Sequence, residues 1–135
     1  MKSHPNKLEG RVAIVTGAAQ GIGQSIVKKF ANEGAHVIAN DLDSTLLSES
    51  VDTLTQQGLV VQALPGDITE QATSELLVST ALELYGDLHI IVNNAGYIWN
   101  SAAVKHTDEQ WQAMLDVHAT GPFRLLREAG HHFRR

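Results

Sequence analysis

Cysteine is missing from the 135 residues, which excludes disulfides and thiolate metal sites. Cysteine usage therefore sets no compartment, although a reducing one fits. Basic residues are in deficit: 10 Lys and Arg face 15 Asp and Glu, for a formal charge of −5. A reader of nucleic acid needs clustered cations to displace counterions, so that class is disfavoured. Long apolar runs are absent too, and none approaches the roughly 18 residues of a membrane span. Residues 1–10 are polar and lack the apolar stretch of a signal peptide. A cytoplasmic protein without a membrane partner is the expectation. The seven histidines do not suggest a metal site. His131 and His132 are adjacent, so their side chains diverge on a helix. With Arg134 and Arg135 they are expected to form a solvated, cationic helix end, which suits the macrodipole.

What is present is a regular alternation. The apolar share is 43%, ordinary for one globular domain. Four short runs rich in branched residues, 12–16, 36–40, 60–64 and 88–92, are bounded by turn formers. Near-continuous runs of this kind suit strands buried on both faces of a parallel sheet. Helical spacing lies between them. Ile22, Ile26 and Phe30 recur every four residues; Leu47, Val51 and Leu54 follow, then Leu77, Ala81 and Leu84. A fourth pattern puts Trp111, Met114, Leu115 and His118 on one face, with Thr107 and Gln110 at capping-box spacing. Gly34, Gly58 and Gly86 follow the first three helices, where a left-handed residue is favoured. Gly121-Pro122 interrupts the last pattern. The order predicts a Rossmann-like, doubly wound parallel α/β sheet of about four strands and four helices.

The chemistry concentrates at the strand ends. After the first strand stands Thr16-Gly17-Ala18-Ala19-Gln20-Gly21-Ile22-Gly23, a strand-to-helix turn suited to a phosphate. Gly17 permits a sharp turn. Gly21 and Gly23 let backbone N–H groups approach a pyrophosphate and let the helix pack close, while the helix N-terminus adds partial positive charge. Gln20 and Ile22 belong to the same candidate site. No Gly-Lys-Ser/Thr follows, which disfavours a nucleoside-triphosphate loop. Asp41 ends the second strand; a carboxylate there can accept both hydroxyls of an adenosine ribose, favouring NAD over NADP. A 2′-phosphate would be repelled, and no Arg or Lys stands in the glycine turn or just after Asp41 to neutralise one. Taken singly, the turn could be structural and Asp41 a solvated strand-end residue.

With these features in series, the sequence resembles the short-chain dehydrogenase/reductase family, in its 3-oxoacyl-acyl-carrier-protein-reductase-like group. The glycine turn is similar to the family's Thr-Gly-x-x-x-Gly-x-Gly. Asp67-Ile68 resembles the pair that holds the adenine ring. Asn93-Asn94-Ala95-Gly96 resembles the motif that steadies the central sheet and lines the cofactor site, with Asn94, Ala95 and Gly96 as contacts. On their own residues, Asp67 could instead cap the helix beginning near Thr69, and the asparagines could satisfy a turn. The resemblance implies hydride transfer between a nicotinamide and a carbonyl or alcohol, homo-oligomeric relatives, and strand order 3-2-1-4. It also implies a catalytic Ser, a Tyr with Lys four residues later, and an Asn on the fourth helix.

Here the pattern departs. The tyrosines, Tyr85 and Tyr97, have His89 and Ser101 four residues on, so neither makes Tyr-x-x-x-Lys. His118 stands at the family's Asn position, in Val117-His118-Ala119-Thr120-Gly121-Pro122-Phe123. Pro122 has no N–H to return to the His118 carbonyl, which could then hold a relay water; a kink around a partly buried histidine is the plainer alternative. The expectation is a partial dinucleotide-binding domain over 1–135, inactive alone, marginally stable and prone to self-association at 88–92. The alternatives are a non-catalytic dinucleotide module, a partner of a separate chain carrying the Tyr and Lys, or a relic that does not fold. Tyr97, Ile98 and Trp99 could touch substrate or form an apolar loop cover.

Overall fold

In the computed structural model, which describes residues 6–135, every expected strand and helix is present. The order is β1 (Val12–Val15), α1 (Gly21–Asn32), β2 (His36–Ala39), α2 (Ser44–Gln56), β3 (Val61–Ala63), α3 (Gln71–Tyr85) and β4 (Ile90–Val92). A short 3-10 turn, Ala103–Lys105, precedes α4 (Asp108–Leu115), and α5 (Gly121–Phe133) follows after a π-turn over Asp116–Thr120. The first five residues of the polar N-terminal stretch lie outside the described residues.

The four strands form one parallel sheet in the order β3-β2-β1-β4. Val12 is opposite His36 and Ala13 is opposite Ile90, so β1 is central. Alternate residues of β1 then serve two cores. Val12 and Ile14 face a cluster with Leu77, Val78 and Ala81 of α3 and Leu125 and Ala129 of α5. Val15 faces a second cluster with Val27 and Ala31 of α1 and Leu47, Val51 and Leu54 of α2. This is the doubly wound arrangement expected for strands apolar on both faces.

Two helical faces differ from their expected positions. Ile22, first in the α1 pattern, is 75% exposed, and the buried face is Gly23, Val27 and Ala31. Gly23 and Ala31 on either side of Val27 let α1 lie close on the sheet, leaving Ile26 and Phe30 on the flank. Past α3, the face of Trp111, Leu115 and His118 turns outward; Val117, Leu125 and Ala129 reach the core instead. The π-turn accounts for this: Gly121 N–H bonds the Asp116 carbonyl five residues back, and the extra residue rotates the chain between α4 and α5. Pro122, with no N–H to give, sits in the first turn of α5. Thr107 and Gln110 form the expected reciprocal capping box. Gly34, Gly58 and Gly86 all have positive φ just past their helices.

At the sheet's other pole, His132 is partly buried rather than solvated. Its Nε2 lies 2.7 Å from Asp87 Oδ1, tying the end of α5 to the loop before β4. His89 Nδ1 accepts the Val12 N–H at 2.9 Å, so its Nε2 carries the proton and faces Asp87 Oδ2 at 3.2 Å. The His132 bond, helped by the Leu88 N–H and by His89, holds the Asp87 carboxyl below its ordinary range.

Candidate functional site

A cleft of about 590 Å³ opens where β1, β2 and β4 end, at the topological switch point of the sheet. The glycine turn forms one wall. Gly17 adopts φ 64°, and a Cβ there would lie 2.8 Å from Ala95 Cα. A Cβ on Gly23 would overlap the Gly17 carbonyl, so the first and third glycines are required by packing within the protein. Gly21 is different: its φ is 60° and a Cβ would meet nothing within 4 Å. α1 begins at this residue, and no side chain caps its N-terminus, because Gln20 makes no capping bond. Open space before uncapped first-turn N–H groups is what an anion requires.

Asp41 is brought to the same turn from the end of β2. Its Oδ2 accepts the Ala19 N–H at 3.0 Å and its Oδ1 accepts the Asp43 N–H at 3.1 Å. These bonds hold the carboxylate beside the glycine turn, with lone pairs to spare on each oxygen. Asp67 Oδ1 accepts the Thr69 N–H at 2.9 Å and the Thr69 hydroxyl at 2.7 Å. Asp67 thus forms a turn and does not cap the helix as its residues suggested: α3 begins at Gln71, with Glu70 as N-cap and no side-chain capping bond, and Asp67 and Ile68 line the cleft.

Asn94 closes the floor: its Nδ2 donates to the Gly17 carbonyl at 3.1 Å. Thr16, unassigned from sequence, joins the two strand ends. Its hydroxyl oxygen accepts the N–H groups of Asn94 and Ala95, each at 3.1 Å. Asn40, also unassigned, donates from Nδ2 to the carbonyls of Leu64 and Gly66 at 3.0 and 3.2 Å. Both are 1% exposed. The available signal was a polar residue completing an apolar run at matching positions of two adjacent strands. Of the expected cofactor residues, Gly17, Gln20, Ile22 and Asp41 line the cleft from one side. Asp67, Ile68, Asn94, Ala95 and Gly96 line it from the other, while Gly21 borders a shallower groove and Gly23 is buried beneath.

His118 lies outside the lining. Its Nε2 is 2.9 Å from the Tyr97 carbonyl, a side-chain contact that the carbonyl-relay expectation left out of account. Tyr97 lines the cleft with Asp116 and Val117, whereas Ile98 and Trp99 point to solvent, 78% and 45% exposed. Tyr85 sits away from the cleft against His36, ring centroids 4.8 Å apart. Burial pushes its hydroxyl up, the wrong direction for proton transfer near neutrality. Among the described residues no group of three or more His, Asp or Glu could hold a metal, and no helix is long and apolar enough to cross a membrane.

A four-stranded parallel sheet covered on both faces, with a glycine turn at β1–α1 and a carboxylate at the end of β2, defines a Rossmann-like α/β fold. The particular lineage follows from comparison. The short chain dehydrogenase family model matches residues 11–135, and the chain belongs to that family. It is 39% identical over 132 residues to the hydroxyacyl-CoA dehydrogenase ChsB1 of Mycobacterium tuberculosis, covering 94% of this chain and 41% of that protein. It is 33% identical over 128 residues to the 3-oxoacyl-[acyl-carrier-protein] reductase FabG of Thermotoga maritima, covering 90% and 49%. A short chain dehydrogenase structure from Mycobacterium smegmatis superposes with a TM-score of 0.92 at 35% identity, covering 99% of this chain and 56% of that one. A Burkholderia phymatum short chain dehydrogenase/reductase solved in complex with NAD gives 0.90 at 28% identity, covering 93% and 45%. The chain therefore spans about half the length of the relatives it matches.

Proposed function

We propose that these residues bind NAD in preference to NADP and form the cofactor-holding half of an oxidoreductase that interconverts a carbonyl and an alcohol. The observation that carries this reading is the Asp41 carboxylate, fixed by the Ala19 N–H at 3.0 Å inside the glycine turn. There it is placed to accept from the adenosine ribose, and it would repel a 2′-phosphate. Gly21 and the uncapped start of α1 would take the pyrophosphate, and Asp67 with Ile68 the adenine. The nicotinamide, when bound, supplies or accepts the hydride. Titration with NADH and NADPH, followed by nicotinamide fluorescence, should show NADH tighter by about tenfold or more, the worth of one charged contact. Equal affinity, or no binding at millimolar NADH, overturns the reading.

Neither Tyr85 nor Tyr97 is followed by a lysine four residues later. This reading places the proton donor outside these 135 residues, in a longer product or in a separate chain. The chain alone should bind cofactor without turning over carbonyl substrates; measurable NADH oxidation by it would contradict this. The His118 carbonyl, which Pro122 cannot bond, is the atom assigned to hold a relay water in the intact site.

A further inference from the structure

The imidazole of His118 fills a place that the sequence of the cleft loop leaves for it. Gly96 has no side chain, and a Cβ there would overlap His118 Cε1 and lie 3.1 Å from Nδ1 and 3.3 Å from Nε2. The ring is thus laid across the Gly96 backbone, and its Nε2 reaches the next carbonyl, that of Tyr97, at 2.9 Å. A carbonyl only accepts, so Nε2 must carry the proton in this contact. The residues that aim the ring are themselves fixed. Val117 before it is 6% exposed and packs in the α3–α5 core. Gly121, three residues on, lies against the loop that carries Ile68 into the cleft lining, where a Cβ would sit 2.9 Å from the Ile68 carbonyl. The π-turn between them sets the direction of His118. Gly96 and Tyr97 line the cleft and the imidazole does not, so the ring acts on the lining from behind.

We infer that His118 is a positioning residue: its side chain clamps the Gly96–Tyr97 backbone and so fixes that part of the cofactor cleft's lining, with Gly96 retained because the clamp occupies its Cβ space. This deepens the dinucleotide reading and rests on it for the affinity effect, but the clamp has a signature of its own. Trp99 stands two residues past the clamped segment, its ring 6.1 Å from that of Tyr97. Trp111 is the other tryptophan in the chain, so Trp111→Phe leaves Trp99 as sole reporter.

In that background, His118→Ala should raise acrylamide quenching of Trp99 and weaken NADH binding about three- to tenfold, the worth of one hydrogen bond. His118→Gln, whose amide N–H has similar reach, should restore much of both. Gly96→Ala should mimic His118→Ala when the histidine is present and cost little more when it is not. This non-additivity is expected of two groups competing for one space. If wild type fails to bind NADH at all, the cofactor reading falls while the quenching and rescue arms still judge the clamp. If NADH binds but Trp99 quenching is unchanged by His118→Ala, or Gly96→Ala costs the same with and without His118, the clamp is wrong. Circular dichroism of each variant separates a lost clamp from a lost fold.

Discussion

At the scale of single residues, the three glycines of the turn have separate tasks that one motif conceals. Gly23 is required by the Gly17 carbonyl and by Asn94 Nδ2, 2.5 Å from where its Cβ would be. Gly21 faces open space at positive φ. Gly23→Ala should therefore destabilise the fold by about 1–3 kcal/mol through overpacking, read as a lower urea midpoint, with NADH binding lost as a consequence. Gly21→Ala should cost about 1–2 kcal/mol for its left-handed backbone. It should also abolish NADH binding while the chain remains folded, because the new methyl enters the anion space. Retained NADH affinity in Gly21→Ala would place the pyrophosphate elsewhere. Ser74 makes the opposite case. Its hydroxyl is buried in α3 with no hydrogen-bond partner. Ser74→Ala removes an unsatisfied group and adds helix propensity, so it should raise stability by about 1 kcal/mol; a lowered urea midpoint would refute this. Gly17, Asp41 and Asn94 were legible because their types and offsets are constrained by the strand ends. Thr16 and Asn40 were not, since their partners are backbone groups on neighbouring strands that no local spacing reveals.

At the scale of elements, strands and helices were legible because apolar periodicity and glycine stops agree. Helix faces were less so. In α1 the pattern of large residues pointed one position away from the buried stripe, because packing against the sheet selected Gly23, Val27 and Ala31 for closeness rather than bulk. In α4 and α5 a single 3.6-residue period was read across a π-turn, which shifts the phase of everything after it. Pro122 marked the break without disclosing its geometry. The tie between α5 and the loop before β4 was also invisible, since Asp87 and His132 are far apart in sequence. It has a pH consequence. A carboxyl held below its ordinary range stabilises the fold above the unfolded value of about 3.9, and this contribution is lost as pH falls through the lower folded value. Thermal midpoints of wild type and Asp87→Asn should thus differ at pH 6, and the gap should narrow as pH falls below the unfolded value of about 3.9. A constant gap across that range would show that the carboxylate charge is not what anchors α5. The capping box gives an independent check: Thr107→Ala should destabilise α4 by about 1 kcal/mol, visible in amide exchange of that helix.

For the molecule as a whole, the alternation of strands and helices was enough to predict a parallel sheet covered on both faces, and the family resemblance supplied its order. What the order leaves at one edge is β4, whose ladder partner among the described residues is β1 alone. Residues of β1 and, His36 apart, of β2 are nearly sealed, yet Ile90, Ile91 and Val92 are each only partly buried. Nearby, α5 presents Phe123, Leu126 and Phe133 to solvent, each about half exposed at 58%, 53% and 48%. An apolar strand with free N–H and C=O groups beside an apolar helical face favours pairing between chains. These 135 residues should then self-associate at micromolar concentration, seen by light scattering or sedimentation. The choice of substitution separates edge pairing from general stickiness. Ile91 packs against one core and Val92 against the other, so altering either would unfold the sheet. Ile90 belongs to neither cluster, and a lysine there places charge on the edge strand at little cost to the interior. Ile90→Lys should lower the association constant while NADH affinity is unchanged, because the strand's carboxyl end and the glycine turn are untouched. Leu126→Lys provides the contrast: if it disperses the chain and Ile90→Lys does not, association runs through the helical face and the strand edge is not the contact.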